Sequence, residues 1–240
     1  MFTDITYMMT FKNIFKSIYL PIKILFIASL IFIILYKFLF LKMSELFSGA
    51  AILGEIFYNL SLAILASAIF YFVVIHLKDF YDKRDVFKIV SNRLNGFINI
   101  RNRIQMEIVA KNNLPFDNKN ISEDLIKEIF SKINPSDNSP VVIFPTKGKH
   151  TWLDFLILFS NKSLDLIKDT YQFMPYLDKA LLNLLYKIES SNFIVNLKSF
   201  DSTPNYEYAD LTPFAKSFYN YSKIIDELDS YIEEKTKLYM

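Results

Sequence analysis

Two long apolar runs dominate the pattern of hydrophobic and polar positions near the start of this chain. The first covers residues 20–41, and its uncharged middle lies between Lys23 and Lys37. The second covers residues 56–77 and contains no Asp, Glu, Lys or Arg. Since a helix rises about 1.5 Å per residue, each run spans roughly 33 Å, enough to cross a hydrocarbon core of about 30 Å. The pattern predicts that residues 1–77 form an interfacial segment and a transmembrane hairpin.

Basic residues flank this hairpin on both sides, whereas the connecting loop at residues 42–49 holds one Lys and one Glu. The flanking basic residues are Lys12, Lys16, Lys23, Lys78, Lys83, Arg84, Lys88 and Arg93. Because cytoplasmic flanks carry the excess of Lys and Arg, both termini are predicted to be cytoplasmic, with two spans in an inner (plasma) membrane. A cleaved signal peptide is the alternative for the first run, but that run is long and a second span follows directly.

Small and polar residues recur along one side of the second span. On a helix of 3.6 residues per turn, one stripe holds Glu55, Asn59, Ala63, Ala66 and Ser67. Small residues let membrane helices approach closely, so the stripe could pack against another helix, with Ala28 and Ser29 of the first span as a counterpart. In a symmetric oligomer it would instead line a pore. The two interpretations are compatible, and the predicted pore-lining residues are Glu55, Asn59, Ala63 and Ser67.

The rest of the chain has the periodicity of helices, and a content of only 4 Gly and 8 Pro agrees with this. Apolar residues recur at helical spacing through residues 78–112, which predicts one long helix leaving the membrane. Residues 113–240 are predicted to form a cytoplasmic helical domain. The expected fold class is therefore all-α, a two-helix transmembrane hairpin that continues into a cytoplasmic helical bundle.

Capping residues place the later helices. Ser122 is a predicted N-cap, Thr151 and Asp154 form a capping-box pattern, and Pro175 is expected to open a helix that reaches about Val195. A terminal helix is predicted from Thr212. Its apolar positions alternate in steps of four and three: Phe214, Phe218, Tyr221, Ile225, Leu228 and Ile232. This is the spacing of a coiled-coil seam, and packing inside the same subunit is the alternative.

No catalytic or metal-binding constellation is visible in the sequence. The chain has no Cys, and its two histidines, His76 and His150, are far apart in the sequence. The segment "TKGKHT" resembles the end of a phosphate-binding loop, but it lacks the earlier Gly, and His150 takes the place of Ser or Thr. We therefore expect a protein that is not an enzyme and that needs no metal or cofactor. The net charge of +2 indicates no class of partner.

One basic patch supports a binding hypothesis. Lys147, Lys149 and His150 lie between two aromatic residues in the sequence, and cations beside aromatic rings can bind nucleic-acid phosphates while the bases stack. The basic side of the long helix would extend this surface. The predicted ligand is a nucleic acid or a nucleotide, and the predicted ligand-binding residues are Lys147, Lys149, His150, Trp152, Arg101 and Arg103. The alternative is a solvated loop and a helix face close to anionic lipid headgroups.

Two stretches, "GEIFYNLSLAILASAIFYFVVIHL" and "PYLDKALLNLLYKIESSNF", resemble uncharacterised bacterial proteins that have two membrane spans followed by a helical cytoplasmic region. The layout is also similar to that of membrane effectors of anti-phage defence systems of the retron, cyclic-nucleotide and Hailong types. In those systems a cytoplasmic domain controls membrane leakage and cell death. This likeness is one of architecture, and it carries no functional residues over to this chain.

Together these patterns predict an oligomeric effector of the bacterial inner membrane that forms a gated ion pathway. It would depolarise the membrane in abortive infection, under the control of its cytoplasmic domain. The signal would be a nucleic acid or nucleotide made by a partner nucleotidyltransferase or reverse transcriptase. The alternative is a membrane-tethered helical adaptor that binds a cytoplasmic partner protein without conducting ions.

Overall fold

The computed structural model describes residues 14–15, 17–43, 47–112, 122–139, 150–201 and 208–239. Over these residues the regular structure is helical, and the only strand-like feature is an isolated bridge between Asn138 and Thr151. The predicted all-α fold class is confirmed. The chain divides into two compact units, residues 1–85 with Tyr239, and residues 86–238. The boundary falls within the segment for which one long helix was predicted.

The first unit is built on two apolar helices, α1 (Leu20–Phe38) and α2 (Ala50–Phe70), joined by a short 3₁₀ turn (Phe40–Lys42) and a loop. Gly49 precedes α2 with a φ of +91°, a left-handed conformation that Gly adopts without strain. A π-helical segment (Tyr71–His76) follows α2 and leads directly into α3 (Leu77–Lys111). The second apolar run therefore continues into a long helix, as its lack of a stop signal predicts.

Both apolar helices are long and apolar enough to cross a membrane. Only 11% of the most apolar window of each is buried within the chain, whereas the core helix of a soluble protein would be mostly buried. Large aliphatic side chains are exposed around both helices, among them Ile31, Ile34, Ile56 and Leu60. A continuous apolar surface of this kind is typical of a membrane-contacting segment.

The second unit contains the later part of α3 and the helices that follow it. These helices are α4 (Glu123–Phe130), α5 (Trp152–Tyr171), a 3₁₀ turn (Met174–Tyr176), α6 (Lys179–Glu189), α7 (Asn192–Asp201) and α8 (Thr212–Tyr239). The N-cap of α4 is Ser122, whose hydroxyl accepts a hydrogen bond from the backbone N–H of Leu125. Thr151 and Asp154 exchange the two bonds of a capping box at the start of α5. These two predicted helix starts are confirmed.

The helix predicted to run from Pro175 to about Val195 is wrong in two respects. Pro175 lies in the 3₁₀ turn, and α6 begins at Lys179 with Asp178 as its N-cap. The helix also ends at Glu189, and a new helix begins at Asn192. The helix begins after Asp178 because the carboxylate of this residue accepts a hydrogen bond from the Leu181 N–H, which satisfies a backbone donor at the helix start.

The core of the second unit lies around α8. All six positions of its predicted seam are buried: Phe214, Phe218, Tyr221, Ile225, Leu228 and Ile232. The Phe218 ring stacks on Phe130 of α4 at 5.7 Å between centroids, and the Tyr221 ring lies 5.2 Å from that of Phe193 in α7. The seam is therefore used for packing inside the subunit, which was the alternative to a coiled coil.

Candidate functional site

The two apolar helices come close together at a glycine. A Cβ atom added to Gly54 of α2 would lie 2.6 Å from Cε2 of Tyr36 in α1, so this approach depends on the absence of a side chain. Seven and fourteen residues further along the same side of α2 are Ser61, which is buried, and Ala68, which lines a cavity with residues of α1. Small residues at seven-residue spacing thus form the side of α2 that packs on α1.

Aromatic rings strengthen this contact near the connecting loop. The ring of Tyr36 stacks on that of Tyr58 at 5.2 Å between centroids, and the ring of Phe32 meets Phe57 edge-on at 6.4 Å. The ammonium of Lys37 lies 4.7 Å from the centroid of Tyr58. Ring pairs and cation–π contacts of this geometry hold the two helices together beyond the effect of apolar area alone.

The predicted pore stripe lies on the side of α2 opposite to this contact. Its five members are all exposed: Glu55, Asn59, Ala63, Ala66 and Ser67. On α1, Ser29 is buried but Ala28 is exposed, so the proposed pairing of both residues with the stripe is not present in this chain. The side of α2 that carries its one carboxylate and its one amide is therefore left uncovered by the chain's own first span.

A buried histidine connects the other end of the second span to the segment before α1. The Nε2 atom of His76 lies 3.1 Å from the carbonyl oxygen of Ile14 and 3.2 Å from the hydroxyl of Ser17. Ser17 also donates to the Ile14 carbonyl at 2.8 Å. Because a carbonyl oxygen can only accept, the geometry requires a hydrogen on Nε2. His76 is the last residue of the π-helical segment, a conformation often found at functional positions of helices.

The predicted ligand patch is only partly within the described residues. Lys147 and Lys149 lie outside them. His150 is half-buried, and its carbonyl accepts a hydrogen bond of 2.7 Å from the Ser139 N–H. Trp152 is fully buried, with its ring edge-on to Phe155 at 5.5 Å. The indole face is thus occupied by the core, and a ligand role for these residues stays a prediction.

The two arginines of the same prediction are both engaged by carboxylates. Arg101 is buried, and its guanidinium donates to Asp226 of α8 at 2.6 Å. Arg103 is more exposed and pairs with Glu107 one turn along α3 at 2.5 Å. No pattern in the sequence indicates the Arg101–Asp226 pair, because its members are 125 positions apart. In this arrangement Arg101 joins two helices, and its role in ligand binding also stays a prediction.

A polar layer surrounds this ion pair inside the second unit. The hydroxyl of Tyr221 lies 3.2 Å from that of Ser163, and burial raises the pKa of Tyr221 to about 12 despite that hydrogen bond and the nearby Arg101. Several buried polar atoms have no hydrogen-bond partner among the described residues, including Arg101 Nε, Gln105 Oε1, Ser160 Oγ and Ser222 Oγ. Buried polar atoms of this kind are commonly satisfied by internal water.

The second unit also carries a small charged groove between α5 and the helices that follow it. Its volume is about 220 Å³, and its lining includes Asp165, Lys168, Tyr171, Glu189 and Lys198. The Tyr171 hydroxyl donates to Glu189 at 3.3 Å, and burial together with the Glu189 charge raises the pKa of Tyr171. The two carboxylates and the two ammonium groups of this lining balance in charge, so the groove has no net attraction for a polyanion such as a nucleic acid.

Comparison with protein-family models, curated proteins and solved structures gives no match for this chain. Within the described residues, no group of three or more His, Asp or Glu side chains is placed to hold a metal ion. The function must therefore be argued from the arrangement of the chain's own residues, above all from the uncovered stripe of α2.

Proposed function

We propose that this protein is an oligomeric effector of the bacterial inner membrane that forms a gated ion pathway. The observation that supports this most directly is the exposed stripe of α2, which lies opposite the contact with α1. A carboxylate and an amide that face acyl tails are costly, whereas the same groups facing a lumen or another polar helix are not. Several copies of the hairpin are needed to enclose such a lumen.

Membrane insertion through both apolar helices is the basis of this proposal. The exposed aliphatic side chains of α1 and α2 would contact lipid, and Lys23 and Lys37 would place their ammonium groups near the two interfaces. By the positive-inside rule, the basic residues before α1 and after α2 support a cytoplasmic location for both termini. Glu55 would then lie towards the outer mouth, with Asn59 one turn deeper.

The second unit would act as the cytoplasmic control domain. Its helices would hold the subunits in a closed arrangement and respond to a signal, so that binding shifts the balance between closed and open states. A nucleic acid or nucleotide made by a partner nucleotidyltransferase or reverse transcriptase is the proposed signal, with Lys147 and Lys149 as contacts. Opening during phage infection would depolarise the membrane and stop the host cell.

Conductance of the purified, reconstituted protein tests this function. Glu55→Gln should change the preference between cations and anions, and Asn59→Leu should lower the conductance, since both residues would line the proposed lumen. Ser61→Ala is the matched control, because it removes a hydroxyl from the opposite, packed side of α2. Currents that are the same in all four proteins would exclude the stripe from the ion pathway.

The alternative function is a membrane-tethered adaptor that binds a cytoplasmic partner protein without conducting ions. It is favoured by the extent of the second unit, which has a core of its own around α8. The mass of the detergent-solubilised protein separates the two functions. A homo-oligomer supports the ion pathway, and a monomer supports the adaptor.

A further inference from the structure

A groove lies between the two apolar helices at the end far from their connecting loop. Its volume is about 240 Å³, and three segments line it: the residues before α1, the first turns of α1, and the end of α2 with the π-helical segment. Among the described residues that line it, all are apolar or aromatic except Lys23, which carries an ammonium group. The described lining thus combines a long apolar wall with one positive charge.

We propose that this groove binds one acyl chain of an anionic phospholipid, with the lipid phosphate at Lys23. The inference rests on the membrane insertion in the proposed function, and it names a ligand for a part of the hairpin that the ion pathway does not use. The groove borders the exposed side chains of Ile27 and Ile69, so a lipid chain can enter it sideways from the bilayer.

The position of Lys23 favours a phosphate in particular. Its Nζ atom lies 5.6 Å from the centroid of the Phe15 ring, which also lines the groove, so the charge is held at the groove's edge. The first turn of α1 contains no acidic residue. The helix dipole and Lys23 therefore attract an anion in the same place, which in the proposed insertion would lie near the lipid phosphates of the inner leaflet.

A second groove at the loop end of the hairpin provides an internal comparison. Its volume is about 550 Å³, and the described residues that line it are apolar or aromatic, among them Phe32, Phe47 and Phe57. None of those lining residues is charged. This groove has the apolar wall without the cation, so a preference for anionic headgroups is expected only at the Lys23 end.

The test is lipid binding to the full-length, delipidated protein in detergent, measured by native mass spectrometry. The probes are phosphatidylglycerol and phosphatidylcholine with the same acyl chains, and oleate. We expect phosphatidylglycerol to bind about fivefold more tightly than phosphatidylcholine, which is the contribution of one basic side chain near an anionic lipid surface. Lys23→Gln should remove that preference. Lys37→Gln, which changes the lysine at the other end of α1, should retain it.

A second variant tests the apolar wall separately. Ala68→Phe fills the groove without altering any charge, and it should weaken binding of both phospholipids. Equal binding of the two phospholipids to the wild-type protein, or an unchanged preference in Lys23→Gln, would overturn the proposal. Oleate that binds as tightly as phosphatidylglycerol would overturn the assignment to a phospholipid.

The two proposals can fail independently. A protein that conducts ions but binds both phospholipids equally would retain the proposed function and lose the lipid site. A monomeric protein that binds phosphatidylglycerol through Lys23 would retain the lipid site and lose the ion pathway. Thermal unfolding of Lys23→Gln and Ala68→Phe in the same detergent shows whether either variant has lost its fold. The lipid preference of each folded variant is then compared with that of the wild-type protein.

Discussion

The guanidinium of Arg101 lies 2.6 Å from a carboxylate oxygen of Asp226, and the two partners differ greatly in exposure. The side chain of Arg101 is 7% exposed, whereas that of Asp226 is 50% exposed. Loss of the acid therefore leaves a buried positive charge without its partner, while loss of the base leaves a carboxylate that water can still solvate. The two single substitutions should not be equivalent.

We expect Asp226→Ala to lower the free energy of unfolding by about 1–3 kcal/mol, and Arg101→Met to lower it by less, since Met can fill the same space without a charge. The double variant should be no less stable than Asp226→Ala alone. Thermal or denaturant unfolding of the detergent-solubilised protein measures all three. If Arg101→Met were the more damaging single change, the pair would be a true stabilising bridge rather than a compensated buried charge.

The uncovered stripe of α2 predicts where neighbouring copies meet. Because the chain has no native Cys, single cysteines can be introduced without background. Ala63→Cys should form disulfide-linked dimers under mild oxidation in membranes, since Ala63 lies on the stripe. Ile64→Cys is the control, because Ile64 is also partly exposed but lies about 100° further around the same helix, away from the stripe. Non-reducing gel electrophoresis measures the cross-link, and equal cross-linking at both positions would argue for random collisions.

The raised pKa of Tyr221 predicts a loss of stability in strong base. The pKa is about 12 in the folded protein and 10.0 in an ordinary setting, so the unfolded chain releases this proton first as the pH rises. The contribution is complete below pH 10 and is lost between about pH 10 and pH 12. Its size is up to about 3 kcal/mol.

Tyr221→Phe should make the decline in stability over this pH range shallower, and at pH 8 it should cost less than about 1.5 kcal/mol, because Ser163 still donates to the Phe159 carbonyl. Denaturant unfolding at several pH values measures the slope. Tyr171, whose pKa is also raised, contributes in the same direction. The double variant Tyr171→Phe with Tyr221→Phe should therefore show a still shallower decline of stability with pH. A slope that Tyr221→Phe leaves unchanged would contradict the assignment.

Asp178 combines a helix cap with an ion pair. It accepts a bond of 2.9 Å from the Leu181 N–H and lies 2.7 Å from Nζ of Lys235. Burial alone would raise the pKa of Asp178, but the hydrogen bonds from Lys235 and Leu181 outweigh it and lower the pKa. The stabilisation is therefore present above the ordinary value of 3.8 and is lost as the pH falls through the lower folded value.

Two substitutions at Asp178 separate these contributions. Asp178→Ala removes both and should cost about 1–2 kcal/mol, whereas Asp178→Asn keeps an oxygen that can cap α6 and should cost less. Both variants should lose the part of the acid dependence that belongs to this carboxyl. Unfolding at pH 7 and at pH values below 3.8 gives the comparison, and equal losses for Ala and Asn would mean that the ion pair outweighs the cap.

The features that the sequence predicted well are those set by local spacing. The two apolar runs became α1 and α2, the Thr151–Asp154 pair formed its capping box, and the seam of α8 was buried at every position. Each depends on residues within a few helical turns of one another. Hydrophobic periodicity and capping chemistry act over that range, so a single sequence is enough to identify them.

The features that the sequence did not predict depend on the partner of each side chain. Gly54, Ser61 and Ala68 are as small as the residues of the Glu55 stripe, and only the position of Tyr36 shows which set packs on α1. The seven-residue spacing of Gly54, Ser61 and Ala68 is the feature of the sequence that could have indicated this packing. The burial of Trp152 was missed for a similar reason, because an aromatic residue beside cations in sequence can face either a ligand or the core.

The π-helical segment between α2 and α3 determines how a change in the length of the chain would affect the residues that follow. Its closing hydrogen bond runs from the Leu77 N–H to the carbonyl of Phe72, five residues earlier. Each residue of an α-helix advances about 100° around the axis, so this wider turn offsets residues 77–85 by one such step. Removing a single amino acid from Tyr71–His76 would restore the ordinary α-helical hydrogen bonds and would leave those side chains in their present directions. A deletion elsewhere in α2 would instead rotate all of them by about 100° around the helix axis.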